Sequence, residues 1–177
     1  MIKFIPIKTS DSRYGFVENL LHESFPMDER RDDEMQRHYT DHNSSFTAYL
    51  IMDDELYVGI ITIWKLNGFH YIEHLATSPD VRNKGYGKMI MQTLLEDFKD
   101  ARIILEVERP EDELSKRRIG FYERNGFKLC LKPYIQPPYR SNGTPIPMYV
   151  MFSGGETIDD DFDKIKSEIY IKVYSVN

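Results

Sequence analysis

Two apolar periods take turns along this chain. Residues 2–7 alternate apolar with other positions and read as a strand, whereas Phe16, Val17, Leu20 and Leu21 recur at helical spacing. The latter predict a helix over 10–23 with Ser10 as N-cap, stopped by Phe25-Pro26. A polar, acidic second helix is expected over 29–42. Residues 46–52 and 56–64 read as antiparallel strands joined by a turn at Asp53-Asp54. Residues 71–77 form the next strand, and Pro79 breaks the chain after it. Met91, Leu94, Leu95 and Phe98 then make one helical stripe. Residues 103–108 are a strand whose helical crossover makes it parallel to 71–77. A helix over 111–125 ends at Gly126, which can take the left-handed position after a helix. Strands 127–131 and 147–152 complete the sheet.

Between those last two strands lie Pro133, Pro137, Pro138, Pro145 and Pro147, together with Tyr134, Ile135 and Tyr139. The stretch is too apolar for a flexible linker and is expected to be an ordered loop. In the tail, Phe162, Ile165, Ile169 and Val173 make a helical stripe, and acidic residues precede lysines as a helix dipole favours. The run 169–174 also alternates and is rich in β-formers, but helix is the reading adopted.

Composition narrows the class. The chain has 177 residues, 41% hydrophobic and 29% charged, ordinary for one globular domain. A single cysteine, Cys130, permits neither an internal disulfide nor a cysteine-based metal site. No apolar run approaches the roughly 20 residues needed to span a membrane, so the expected location is cytoplasmic with no membrane partner. The net charge of −6 argues against nucleic acid and suits a cationic acceptor. The histidine pairs His38/His42 and His70/His74 lack companion ligands at convincing spacing, and no metal is expected.

The chemistry gathers at Arg82-Asn83-Lys84-Gly85-Tyr86-Gly87, between a buried strand and an amphipathic helix. A helix start presents unpaired N–H groups and partial positive charge. Two glycines clear Cβ atoms from that surface, while Arg82, Lys84 and Lys88 add full charges. The pattern suits a seat for a diphosphate; the alternative is a tight turn that only leads into the helix. The dinucleotide fingerprint fails because Ile90 stands at its third glycine, and the P-loop pattern fails because Met89 follows Gly87-Lys88.

The stretch LATSPDVRNKGYGKMIMQTL resembles the acyl-CoA-binding motif of the GCN5-related N-acetyltransferase (GNAT) superfamily, Q/R-x-x-G-x-G/A, with Arg82, Gly85 and Gly87 matching. Phe121-Tyr122-Glu123-Arg124-Asn125-Gly126-Phe127 resembles that family's F-Y-x-x-x-G-F segment. The two motifs stand in the family order, and the resemblance covers roughly residues 1–152. The resemblance implies an α+β fold: a mostly antiparallel twisted sheet with a parallel β-α-β pair splayed at the acyl-CoA site, and helices on both faces. It implies an acetyltransferase domain over 1–155, leaving 156–177 as an extension that packs on the domain or on a second copy.

It further implies acetyl-CoA as cosubstrate, its pantetheine on the backbone of Leu75, Ala76 and Thr77 and its diphosphate on Asn83, Lys84, Gly85, Tyr86, Gly87 and Lys88, with Arg82 beside them. The oxyanion would lie on the Leu75 or Ala76 N–H. The expected reaction is direct attack of a primary amine on the thioester. Glu73, on the strand face it shares with Leu75, is the candidate base, directly or through water. The alternative is that it pairs with a nearby cation and only tunes the pocket. Tyr122 is the candidate acid for the departing thiolate; the alternative is a packing tyrosine. Glu106 and Glu108 face either a cationic acceptor or solvent. Ser115 and Arg118 stand where the family often has asparagine and alanine, which alters a pantetheine contact. In the resembled family the last loop lines the acceptor pocket, giving Phe25, Tyr134 and Tyr139 as walls and Arg140 as a carboxylate partner. The acceptor would be a small molecule or peptide amine, and the protein a monomer or homodimer. A non-catalytic acyl-CoA sensor needs neither Glu73 nor Tyr122, and a structural subunit pairing through its tail is a third reading.

Overall fold

The computed structural model describes all 177 residues. Seven strands and five helices form a mixed α/β fold. The strands are β1 (Ile2–Ile7), β2 (Phe46–Asp53), β3 (Leu56–Leu66), β4 (Phe69–Thr77), β5 (Arg102–Glu108), β6 (Lys128–Gln136) and β7 (Ile146–Ser153). Their order in the sheet is β1-β2-β3-β4-β5-β7-β6, antiparallel except for the one parallel pair β4–β5. The helices are α1 (Tyr14–Ser24), α2 (Asp33–His42), α3 (Tyr86–Asp97), α4 (Glu113–Arg124) and α5 (Phe162–Lys172). The chain divides into two compact units: residues 1–65 with 72–97, and residues 66–71 with 98–177.

In the first unit, Val17, Leu20 and Leu21 bury one face of α1, as their spacing predicts. That helix starts at Tyr14 rather than at Ser10, because Asp11 instead accepts the Arg13 N–H at 2.9 Å and holds a turn there. The second helix also starts later than expected. Residues Met27–Glu29 form a single 3-10 turn, and Asp32 caps α2 by accepting the Met35 N–H at 2.8 Å. Helix α2 packs on β2 and α3 on β1, where Ile90, Met91 and Leu94 are buried.

In the second unit, Asp112 caps α4 by accepting the Ser115 N–H at 2.7 Å. Gly126 follows α4 with φ +93°, the left-handed conformation expected of it, and the Phe127 N–H closes the turn on the Tyr122 carbonyl at 3.0 Å. The proline-rich stretch departs from expectation. Residues 132–136 continue β6 instead of forming a loop, with the register against β7 shifting between Cys130 and Tyr134. Pro133 sits inside that shift, and β6 is an edge strand, so a missing N–H costs no ladder bond on the open side. The tail is a helix, with Phe162, Ile165 and Ile169 buried along α5.

Candidate functional site

The loop between β4 and α3 is built by a chain of local constraints. Ser78 accepts the Asp80 N–H at 3.4 Å, and Pro79–Val81 make one 3-10 turn. Asn83 (φ +62°) and Gly85 (φ +82°) then turn the backbone through left-handed geometry into α3. The Met89 N–H bonds back to the Gly85 carbonyl at 3.5 Å, so the N–H groups of Tyr86, Gly87 and Lys88 precede the first closed turn. A Cβ placed on Gly85 would meet nothing within 4 Å; the space above this helix start is open. Arg82, Asn83, Lys84 and Lys88 are all exposed. Lys84 Nζ donates to the Asp80 carbonyl at 2.8 Å and Arg82 Nη2 to the Thr77 carbonyl at 3.5 Å, which holds both cations beside the loop. Unsatisfied N–H donors, a missing Cβ and three local cations suit a diphosphate. Tyr86 contributes backbone alone, since its hydroxyl donates to Asp53 at 3.0 Å; that bond also raises its pKa.

Leu75, Ala76 and Thr77 close β4. The backbone beside them is unusually tight, for a Cβ on Gly59 would lie 2.2 Å from the Ala76 carbonyl oxygen. Only glycine lets β3 approach there, and the Ser78 N–H bonds the Val58 carbonyl at 2.8 Å just beyond.

Glu73 lies on β4 in a pocket of its own. Its side chain has no exposed surface, and Arg31, 5% exposed, grips both carboxylate oxygens. Trp64 Nε1 donates to Oε2 at 3.1 Å. The Arg31 guanidinium is stacked among Tyr39, Phe46 and Trp64, with centroids 4.9, 5.7 and 5.8 Å away. Burial pushes the Glu73 pKa up, but the charge of Arg31 and the hydrogen bonds from Arg31 and Trp64 prevail and hold it below the usual range. A carboxylate clasped by a guanidinium is a weak proton acceptor, so this geometry favours the cation-pair alternative for Glu73 over the free base. Adjacent His74 donates its Nε2–H to the Glu29 carbonyl at 2.8 Å, so that nitrogen carries the proton. Burial lowers its pKa and keeps the ring neutral. Phe25 packs edge-on against this ring at 4.5 Å.

In the second unit, Tyr122 lies on α4 between Phe121 and Phe127, with ring centroids 5.4 and 5.7 Å away. It is partly exposed, and its hydroxyl has no partner within the chain. Burial raises its pKa, which keeps the phenol protonated and able to donate. Ser115 is buried and gives its hydroxyl to Glu108 at 3.1 Å, while Arg118 is exposed.

The expected acceptor walls do not share one role. Tyr134 is a buried residue of β6 rather than a loop residue, and its hydroxyl donates to Glu106 at 3.0 Å. Tyr139 stacks on Tyr174 with centroids 5.0 Å apart, and Arg140 is partly exposed. Glu106 is the residue that sequence reasoning undervalued. The signal was a carboxylate between Leu105 and Val107 in an otherwise apolar strand, in a chain with a tyrosine-rich tail. Glu18, His22 and Asp33 offer ligand atoms within 4.8 Å of one another. Arg37 bonds both oxygens of Glu18 at 2.8 and 2.9 Å, and Arg30 lies 3.1 Å from Asp33, so this cluster already holds its countercharges.

A mixed sheet with a single parallel pair, followed by an open helix start flanked by cations, suits the class of acyl-CoA-dependent acetyltransferases. Residues 14–127 match the acetyltransferase (GNAT) family, and the chain belongs to it as an N-acetyltransferase. A solved structure from Bacteroides thetaiotaomicron, assigned to the GNAT acetyltransferases, is 46% identical over 99% of both chains with a TM-score of 0.96. Spermidine N-acetyltransferase from Vibrio cholerae, in complex with CoA and spermine, shares the fold at 15% identity (TM-score 0.64, covering 85% of this chain and 94% of that one). An acetyltransferase from Bacillus subtilis in complex with CoA does so at 14% identity (TM-score 0.61, covering 88% and 100%). No curated protein sequence matches the chain. No helix is long and apolar enough to cross a membrane.

Proposed function

We propose that this N-acetyltransferase moves an acetyl group from acetyl-CoA to a primary amine of a small molecule or peptide by direct attack. The amine nitrogen bonds to the thioester carbonyl carbon, the C–S bond breaks, and the proton lost by the nitrogen passes to water. The observation that carries this reading is the open helix start at Asn83–Lys88, with Gly85 leaving the N–H groups uncovered. Those groups would hold the diphosphate, with Arg82 beside them, and the backbone of Leu75, Ala76 and Thr77 would hold the pantetheine amides. Acetyl-CoA supplies the activated acyl group; every other task falls to the chain. Tyr122, protonated and without an internal partner, would give its proton to the departing thiolate. Glu73 serves as a positioning residue that fixes Arg31.

The test follows free thiol while the protein turns over acetyl-CoA with a panel of primary amines. Amine-dependent release is expected. Tyr122→Phe should lower kcat roughly 100-fold or more with little change in either KM. Gly85→Val should raise the KM for acetyl-CoA. Thiol release that ignores the amine, or acetyl-CoA that fails to bind in calorimetry, would overturn the reading.

A further inference from the structure

Glu106 is a carboxylate with many donors and no countercharge. Oε1 accepts hydroxyl protons from Tyr71 at 2.6 Å, Tyr174 at 2.8 Å and Tyr134 at 3.0 Å. Oε2 accepts from Gln136 Nε2 at 2.8 Å and lies 3.1 Å from the Tyr174 hydroxyl. The Tyr71 and Tyr174 hydroxyls are themselves 3.3 Å apart. No lysine, arginine or histidine bonds this carboxylate. The nearby Glu108 is taken by Ser115, and the Tyr170 hydroxyl by the Ile135 carbonyl. Contrast Glu73, whose charge is neutralised by Arg31.

Four polar donors solvate an anion but leave its net charge in place. A structural carboxylate in such a spot is ordinarily paired. Here the donors are mostly tyrosines, whose ring faces attract cations as well. Tyr71, Tyr134 and Tyr174 are buried and enclose the Glu106 carboxylate, while Gln136 and Tyr139 keep partial exposure, so a ligand's approach is from their side. Tyr139 extends the aromatic wall through its contact with Tyr174. Tyr134, Gln136 and Tyr174 lie beyond the residues 14–127 that match the family, so this chain's own C-terminal part completes the cluster.

We infer that Glu106, with the hydroxyls of Tyr71, Tyr134 and Tyr174 and the amide of Gln136, forms the seat for an ammonium group of the acceptor. This rests on the reading of the protein as an amine acetyltransferase. The seat selects cationic acceptors over neutral or anionic ones of the same size. The tyrosines fix the carboxylate's orientation, so the arriving ammonium replaces no protein cation.

Binding without donor tests it on the full chain. Scanning calorimetry is run with butylammonium, butane-1,4-diammonium and, as a cation with no N–H, tetramethylammonium. Wild type should gain a saturable rise in Tm with at least one primary ammonium, and Glu106→Gln should lose it. Equal behaviour of the two proteins, including no rise in either, overturns the inference. In turnover, Glu106→Gln should raise the acceptor KM roughly tenfold to hundredfold and leave the KM for acetyl-CoA unchanged. A fall in kcat with an unchanged acceptor KM also overturns it. Tyr174→Phe, which removes one donor and keeps the ring, should shift the acceptor KM in the same direction by a smaller factor. It keeps the test decisive should Glu106→Gln fail to fold. Calorimetry with acetyl-CoA separates the two readings: if the donor does not bind, the transferase reading fails while the ammonium shift still decides the role of Glu106.

Discussion

Glu73 and Arg31 are 42 residues apart in sequence, and both are buried, the carboxylate with no exposed surface and Arg31 with 5%. A buried pair of this kind costs much to break and little to replace, because removing one partner strands the other charge. Glu73→Gln should therefore destabilise the protein by about 3–5 kcal/mol. The double variant with Arg31→Met should recover a large part of that loss, since the methionine still packs among Tyr39, Phe46 and Trp64. Urea denaturation of the three proteins checks this; a double variant no better than the single would refute it. The pH dependence has a defined sign. A carboxylate whose folded pKa is lowered stabilises the fold above the pH where an unfolded glutamate ionises, about 4.3, and loses that contribution as pH falls through its lower folded value. Glu73→Gln should flatten the acid limb. Sequence placed Glu73 on the right strand, and named a cation pair as one option. It could not name Arg31, because which charge meets which across such a separation is settled by packing rather than by local pattern.

At the level of elements, periodicity was a dependable guide wherever one face meets a core. The tail offered both a helical stripe and a β-rich alternation, and burial decides between them. Phe162, Ile165, Ile169 and Val173 are all inside. The helical stripe brings those four to one side, whereas alternation over 169–174 would have buried Ile171 beside Ile169 and Val173, and Ile171 is exposed. Ile169 has no exposed surface, so Ile169→Ala should cost about 2–5 kcal/mol. Equilibrium unfolding measures it, and a loss below about 0.5 kcal/mol would mean that α5 is not part of the core of its unit. The expected loop at 132–147 failed for the opposite reason. Proline density argues for a loop only in a central strand, and nothing local in the sequence marks β6 as an edge. The same extension of β6 carried Tyr134 from an exposed wall into the core and onto Glu106. That displacement hid the Glu106 cluster, whereas the loop proposed to hold the diphosphate has its glycines and cations contiguous in sequence and could be named from it.

Across the whole molecule, charge is set against the proposed donor. A protein of net charge −6 repels an anionic diphosphate at long range, so attraction must come from local cations. Arg82, Lys84 and Lys88 crowd one helix start, and all three are exposed. Reversing two of them, Lys84→Glu with Lys88→Glu, takes the net charge from −6 to −10, since each exchange removes one positive and adds one negative charge. The KM for acetyl-CoA should rise at least about tenfold, the worth of two charge-assisted contacts. A global field alone would predict the same rise wherever the charges were reversed. The control is Lys164→Glu with Lys172→Glu on α5, both exposed and giving the same −10, which should leave the KM for acetyl-CoA within about twofold. Added salt should weaken wild-type donor binding and have less effect on the loop variant, because the attraction it screens is gone. Equal KM values for the two double variants would show that the loop is not the seat of the diphosphate. The proposed assignment of Asn83–Lys88 would then have to be abandoned.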